Sequence, residues 1–155
     1  EINIVKKSSQ NGQKVLISDS GEGSFWIRSA RLGDIVGISM YRKVWFGEWK
    51  RYVKYPLPPI FYQRKAWLIK KLFGKDVICT ELQAEPWASK NLQDLSEAEA
   101  GETMDLKKFK ESVEFAKNTG LEKFYFWGAE WWEYMRTERN NSGIWEEAKT
   151  LFINN

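Results

Sequence analysis

Four short apolar runs punctuate the chain, and the segments between them keep a different period. The runs are KVLIS at residues 14–18, IVGISM at 35–40, VICT at 77–80 and FYFW at 124–127. Each is rich in branched or aromatic residues and has the length of a strand. The last three are entered through glycine-containing turns, Leu32-Gly33-Asp34, Phe73-Gly74-Lys75-Asp76 and Thr119-Gly120-Leu121-Glu122-Lys123. Strands that are apolar along their whole length, rather than at alternate positions, are those of a parallel sheet with helices on its faces.

Helical periodicity fills the gaps. Leu106, Phe109, Val113 and Ala116 repeat at helical spacing, with Asp105 placed to cap and Gly120 to stop the helix. Residues 61–73 predict a second helix, opened by Pro58-Pro59, stopped by Gly74 and burying Trp67, Leu68, Leu72 and Phe73. Ile144, Ala148, Leu151 and Phe152 predict a terminal helix behind Ser142, and residues 25–32 and 2–6 shorter ones. The alternation gives an α/β fold, and the 155 residues suit one domain, 1–155. Two long insertions, 42–59 and 88–104, follow strand ends, the second reading as a solvated loop.

Composition removes whole classes of chemistry. With no histidine, the chain alone cannot run Ser-His-Asp or Cys-His catalysis or bind zinc through imidazole. The lone Cys79 lies inside an apolar run and reads as a small buried hydrophobe. A formal charge of +3 with the signs interspersed is too mild for a nucleic-acid binder, and no apolar run has the length of a membrane span. Carboxylates, tyrosines and lysines remain for acid–base work.

In parallel α/β folds ligands bind at the carboxyl ends of the strands. Glu81 stands at such an end, where an idle charge is costly. Tyr41, Trp45, Trp49, Trp87, Trp127, Trp131 and Trp132 lie at or beyond strand ends, with Glu130 among the last of them. Indole faces stack on sugar rings while carboxylates accept from their hydroxyls, so acids among tryptophans suit a carbohydrate cleft. Plainer roles compete: Trp67 and Trp145 read as core, Glu85 as a carboxylate satisfying a backbone N–H or Arg42, and Glu22 and Asp19 as either structural or functional. No glycine-rich loop has phosphate-binding spacing, which disfavours a small doubly wound domain binding a phosphorylated ligand.

The order Thr80-Glu81-Leu82 at one strand end and Phe126-Trp127-Gly128 at the next resembles the last strands of clan A glycoside hydrolases, retaining (β/α)8-barrel enzymes of the cellulase and xylanase kind. The resemblance spans nearly the whole chain but half of the TIM barrel: runs 14–18, 35–40, 77–80 and 124–127 stand as strands five to eight. It implies Glu81 as the nucleophile, Tyr41 as the residue that orients it and Trp127 as the sugar floor. Trp45, Trp87 and Glu130 join the substrate-binding set, and neither cofactor nor metal is implied. The clan's acid/base glutamate ends strand four, which this chain lacks; Glu1 reads as part of the following helix. Ser39 stands where many clan members carry a histidine.

A complete barrel needs about 250 residues. Four parallel strands cannot close, so open edges and an apolar inner face predict association with a second copy or a complementary half-barrel. The expected function is that of a half-barrel from a retaining β-glycosidase, the alternative a non-catalytic carbohydrate-binding or scaffolding half-barrel. An opening Glu1 rather than methionine reads as a processed or partial product. The compartment is not set by the sequence; secretion or surface display would come from a preceding part.

Overall fold

The computed structural model describes residues 2–8 and 12–153; Glu1 lies outside them. Element order is α1 (Ile2–Ser8), β1 (Leu16–Asp19), α2 (Ile27–Leu32), β2 (Ile35–Met40), β3 (Lys43–Phe46), β4 (Arg51–Lys54), α3 (Pro59–Phe73), β5 (Asp76–Gln83), α4 (Glu97–Gly101), α5 (Leu106–Lys117), β6 (Phe124–Trp127), α6 (Ala129–Glu138) and α7 (Gly143–Ile153). A four-stranded parallel sheet takes the order β1-β2-β5-β6, and β3 and β4 form a separate antiparallel pair. The α/β class and the four anticipated strands are therefore present. The chain divides into two compact units, one of Glu1–Tyr41, Pro56–Leu82 and Phe115–Tyr125, the other of Arg42–Tyr55, Gln83–Glu114 and Phe126–Asn155.

In the first unit, register fixes which side chains share a face. Leu16, Ile17, Ser18 and Asp19 pair with Ile35, Val36, Gly37 and Ile38, and β2 pairs in turn with β5. One face carries Val36, Ile38, Met40, Val77, Cys79 and Leu82, all buried. The other is not covered in the same way: Leu16 and Ser18 are exposed and Ile78 and Thr80 half-buried. Here β1 departs from the expected fully covered strand, because it is the outer strand of the four and alternates exposed with half-buried positions. Above the centre of that face Gly37 leaves a gap into which its neighbours lean. Ser18 and Thr80 hydroxyls meet at 3.1 Å from the two flanking strands, and a Cβ on Gly37 would stand 2.7 Å from Thr80 Cγ2 and 2.8 Å from Leu16 Cδ2.

Helix α3 starts at Pro59 and ends at Gly74, whose φ of 68° is the left-handed stop that glycine accepts freely. Its buried face is the reverse of the one hydrophobicity selects: Tyr62 and Ile69 are buried, whereas Trp67 is 60% exposed and Leu68 and Leu72 point outward as well. Polar anchors decide the orientation. The Tyr62 hydroxyl donates to Glu22 and the Lys65 ammonium to the carbonyls of Gly21 and Ser24, contacts that an apolar count does not weigh.

In the second unit, Trp131 and Trp132 of α6 are buried with Phe109, Met104, Leu95 and Ala148, and Trp145 packs half-buried against them. Trp132 meets Phe109 and Phe126 edge-on at centroid distances of 5.5 Å and donates its indole N–H to the Ala84 carbonyl at 2.7 Å. Both insertions carry structure. Residues 42–59 contain the β3–β4 hairpin, in which Trp45 pairs with Tyr52 edge-on at 5.0 Å. Residues 88–104, expected as a loop, contain α4, started by a reciprocal capping box between Ser96 and Glu99. Trp132→Ala removes both the aromatic packing and the hydrogen bond, and the expected loss is about 3–5 kcal/mol in chemical denaturation, whereas the outward-facing Trp67→Ala leaves the midpoint within about 0.5 kcal/mol of wild type.

Candidate functional site

The carboxyl end of β5 is shaped by one extra residue. Ile38 pairs with Cys79, but Ser39 pairs with Glu81 and Met40 with Leu82, so Thr80 is bulged out of the ladder. Strict alternation from Val77 and Cys79 would send Glu81 to the buried, helix-covered face. The bulge turns it over, so that Glu81 shares the face of Ser39 and Gly37 and Leu82 takes the buried position beside Met40. At the end of β2 the same alternation brings Tyr41 to the Glu81 side. Its phenol donates to Glu81 Oε2 at 3.2 Å.

Behind this pair lies a group the sequence pointed to only in part. Glu22, in the loop after β1, accepts at Oε1 from the Tyr41 backbone N–H at 2.9 Å and from the Tyr62 hydroxyl at 3.0 Å. Burial pushes its carboxyl above the ordinary 4.5, against the pull of those two donors and of the Lys65 charge. Lys65 donates to Ser24 O at 2.6 Å and Gly21 O at 3.1 Å and lies 3.8 Å from the centroid of the Trp26 ring. Its ammonium is pushed down to about 8 by desolvation, which the charges of Glu22 and Asp19 oppose.

The loop itself has little freedom. A Cβ on Gly21 would fall 2.0 Å from the Ser39 carbonyl oxygen. Trp26 is fully buried, takes a left-handed φ of 63° and donates its indole N–H to Ser20 O at 2.8 Å. Asp19 accepts from Ser29 Oγ at 2.6 Å, which ties the end of β1 to α2. Cys79 is fully buried, and burial holds its thiol up at about 12, far from nucleophilic use.

The remaining expected residues belong to the second unit. Trp127, half exposed, donates its indole N–H to Glu85 Oε1 at 3.0 Å. Burial raises the Glu85 carboxyl first, the Trp127 hydrogen bond opposes this, and the charge of Glu130 in the first turn of α6 raises it further. Glu85, expected to accept a backbone N–H or to pair with Arg42, accepts from the Trp127 indole. That backbone role falls to the buried Gln83, which accepts from the N–H of Arg42 at 2.8 Å and of Lys43 at 3.3 Å. Gly128, at φ 126°, lets the chain pass Glu85 where a Cβ would come within 2.6 Å of it. Trp45 donates its backbone N–H to the Trp87 carbonyl at 3.2 Å, and Trp87 is 45% exposed.

The structure therefore joins Tyr41 to Glu81 in one unit and, in the other, Trp127 to Glu85 and Trp45 to Trp87. Glu22 was legible as a strand-exit acid, whereas Tyr62 was not singled out, because no spacing links the two. Among the described residues no group of three or more acidic or sulfur side chains is arranged to hold a metal ion. Comparison with protein-family models, curated proteins and solved structures found no match to the chain.

The two perturbed groups act on stability in opposite directions with pH. A raised carboxyl keeps its full contribution below 4.5 and loses it as pH rises through the folded-state value; a lowered ammonium adds stability as pH rises from about 8 to 10.5. Unfolding midpoints of Glu22→Gln should therefore converge with wild type near pH 4 and gain on it towards pH 7. Lys65→Met should flatten the rise that wild type shows between about 8 and 10.5.

Proposed function

We propose that the chain is the C-terminal half, strands five to eight, of a retaining (β/α)8-barrel glycoside hydrolase acting on β-linked polysaccharide, with Glu81 as nucleophile. The observation that carries this reading is the Tyr41–Glu81 hydrogen bond of 3.2 Å at the carboxyl ends of neighbouring parallel strands, made possible by the Thr80 bulge. The bulge re-aims this carboxylate from the covered to the open face, where it meets the Tyr41 phenol, while Leu82 keeps the buried position.

In this mechanism a Glu81 oxygen attacks the anomeric carbon as the bond to the leaving oxygen breaks, forming a glycosyl ester. A second carboxylic acid, about 5–5.5 Å from the first, protonates the departing oxygen and then, as a base, takes a proton from the water that cleaves the ester. Tyr41 holds one Glu81 oxygen by its phenol, which leaves the other to attack. In the second unit Trp127 presents a half-exposed indole whose N–H is fixed by Glu85; the resemblance gives Trp127 the role of sugar floor, with Trp45, Trp87 and Glu130 in the substrate-binding set. Glu22 is already occupied by Tyr41 and Tyr62, so the acid/base is assigned to a partner: a second copy or a complementary half-barrel whose four strands bring the parallel sheet to eight.

A substrate whose leaving group needs no proton tests the half-site by itself. Incubation with 2,4-dinitrophenyl 2-deoxy-2-fluoro-β-glycosides of glucose, xylose and mannose should leave one glycosyl ester, located by mass spectrometry on the peptide containing Glu81. Glu81→Gln should give none, and Tyr41→Phe should form it roughly 10–100-fold more slowly. Sugar binding without any adduct would leave only the carbohydrate-binding alternative, and neither binding nor adduct would remove both. Light scattering at rising concentration should show a species larger than one chain; a strict monomer rules out self-completion.

A further inference from the structure

The outward face of α3 is unlike the surface of a helix that merely meets water. Ile60, Arg64, Trp67, Leu68, Lys71 and Leu72 fall together at helical spacing, opposite the buried Tyr62 and Ile69. Ile60 is 43% exposed, Trp67 60%, Leu68 46% and Leu72 61%. The helix contains Arg64, Lys65, Lys70 and Lys71 and no acidic residue, and the sequence holds none anywhere between Trp49 and Lys75. The Lys71 ammonium lies 4.8 Å from the centroid of the Trp67 ring, so cation and indole are presented as a pair.

Helix α2, which packs beside α3, continues the pattern. Phe25 is 84% exposed although it is the residue before the buried Trp26. Trp26 takes a left-handed φ of 63°, and such strain in a non-glycine residue persists where the surroundings enforce it. Arg28 and Arg31 are exposed beside Ile27 and Leu32, which are 43% and 39% exposed. From Gly23 to Gly33 this segment, too, has no acid.

We propose that the α2–α3 face docks on an anionic lipid bilayer, with Phe25, Trp67, Leu68 and Leu72 entering the headgroup region and Arg28, Arg31, Arg64 and Lys71 meeting lipid phosphates. Two observations favour a bilayer over a protein or a second copy. The charge on both segments has one sign in a chain whose net formal charge is only +3, so this face would repel its own duplicate. The apolar groups also share their face with cations whose long stems let the charges reach lipid phosphates while the apolar groups enter the headgroup region, rather than being gathered into a dry centre with a polar rim. The docking is peripheral, since no helix among the described residues is long and apolar enough to cross a membrane.

The experiment is co-sedimentation of the chain with vesicles of phosphatidylcholine and phosphatidylglycerol, and with phosphatidylcholine alone. Binding is expected to the mixed vesicles only and to fall as salt is raised. Arg64→Gln and Lys71→Gln should each weaken it about fivefold, and Trp67→Ser with Leu72→Ser should abolish it while circular dichroism stays unchanged. The proposal is overturned if the chain ignores anionic vesicles, if binding is indifferent to these substitutions, or if the serine variant instead dissolves a self-associated species that never bound lipid.

Discussion

One extra residue at the end of β5 decides what this protein can present to a ligand. Parallel strands alternate their side chains strictly, so without the bulge at Thr80 the carboxylate of Glu81 would enter the covered side of the sheet, among Val36, Ile38, Met40 and Cys79. An ionised group there would require a partner or lose its charge. With the bulge, Leu82 completes that apolar layer and Glu81 meets a phenol on the opposite side. Packing and site are satisfied by the same irregularity, which explains why it sits at Thr80 and not elsewhere in the strand.

The surroundings of that pair are built from polar groups in costly places. Glu22 and Lys65 are each desolvated enough to move in the direction of neutrality, and each is compensated by named partners: two donors for the carboxylate, two carbonyls and two rings for the ammonium. Such groups contribute orientation more than net stability. They fix the rotation of α3 about its axis, and the turned helix leaves its bulkier apolar residues facing out.

This is also where reading the sequence reached its limit. The four runs of the parallel sheet, the glycine stop of α3 and the Asp105 start of α5 were legible because local chemistry dictates them. Glu81 at a strand end and Tyr41 beyond its neighbour were legible for the same reason. The face of α3 was not, since long-range hydrogen bonds from Tyr62 and Lys65 outweigh side-chain hydrophobicity. Nor was the Glu85–Trp127 bond, 42 residues apart in sequence. The β3–β4 hairpin and α4 were within reach: aromatic runs flank Gly47, and Ser96 precedes Glu99 at capping-box spacing.

The buried Gly21 gives the chain an unusual distribution of tolerance to substitution. Loops ordinarily accept change more readily than the elements they join. At Gly21 the space for even a methyl group is taken by a backbone carbonyl 2.0 Å away, which no rotamer change can clear. A saturation library of this protein would therefore lose nearly every variant at a loop position while retaining polar replacements along the outward face of a fifteen-residue helix. Read without coordinates, such a map would place the loop in the core and the helix in a linker.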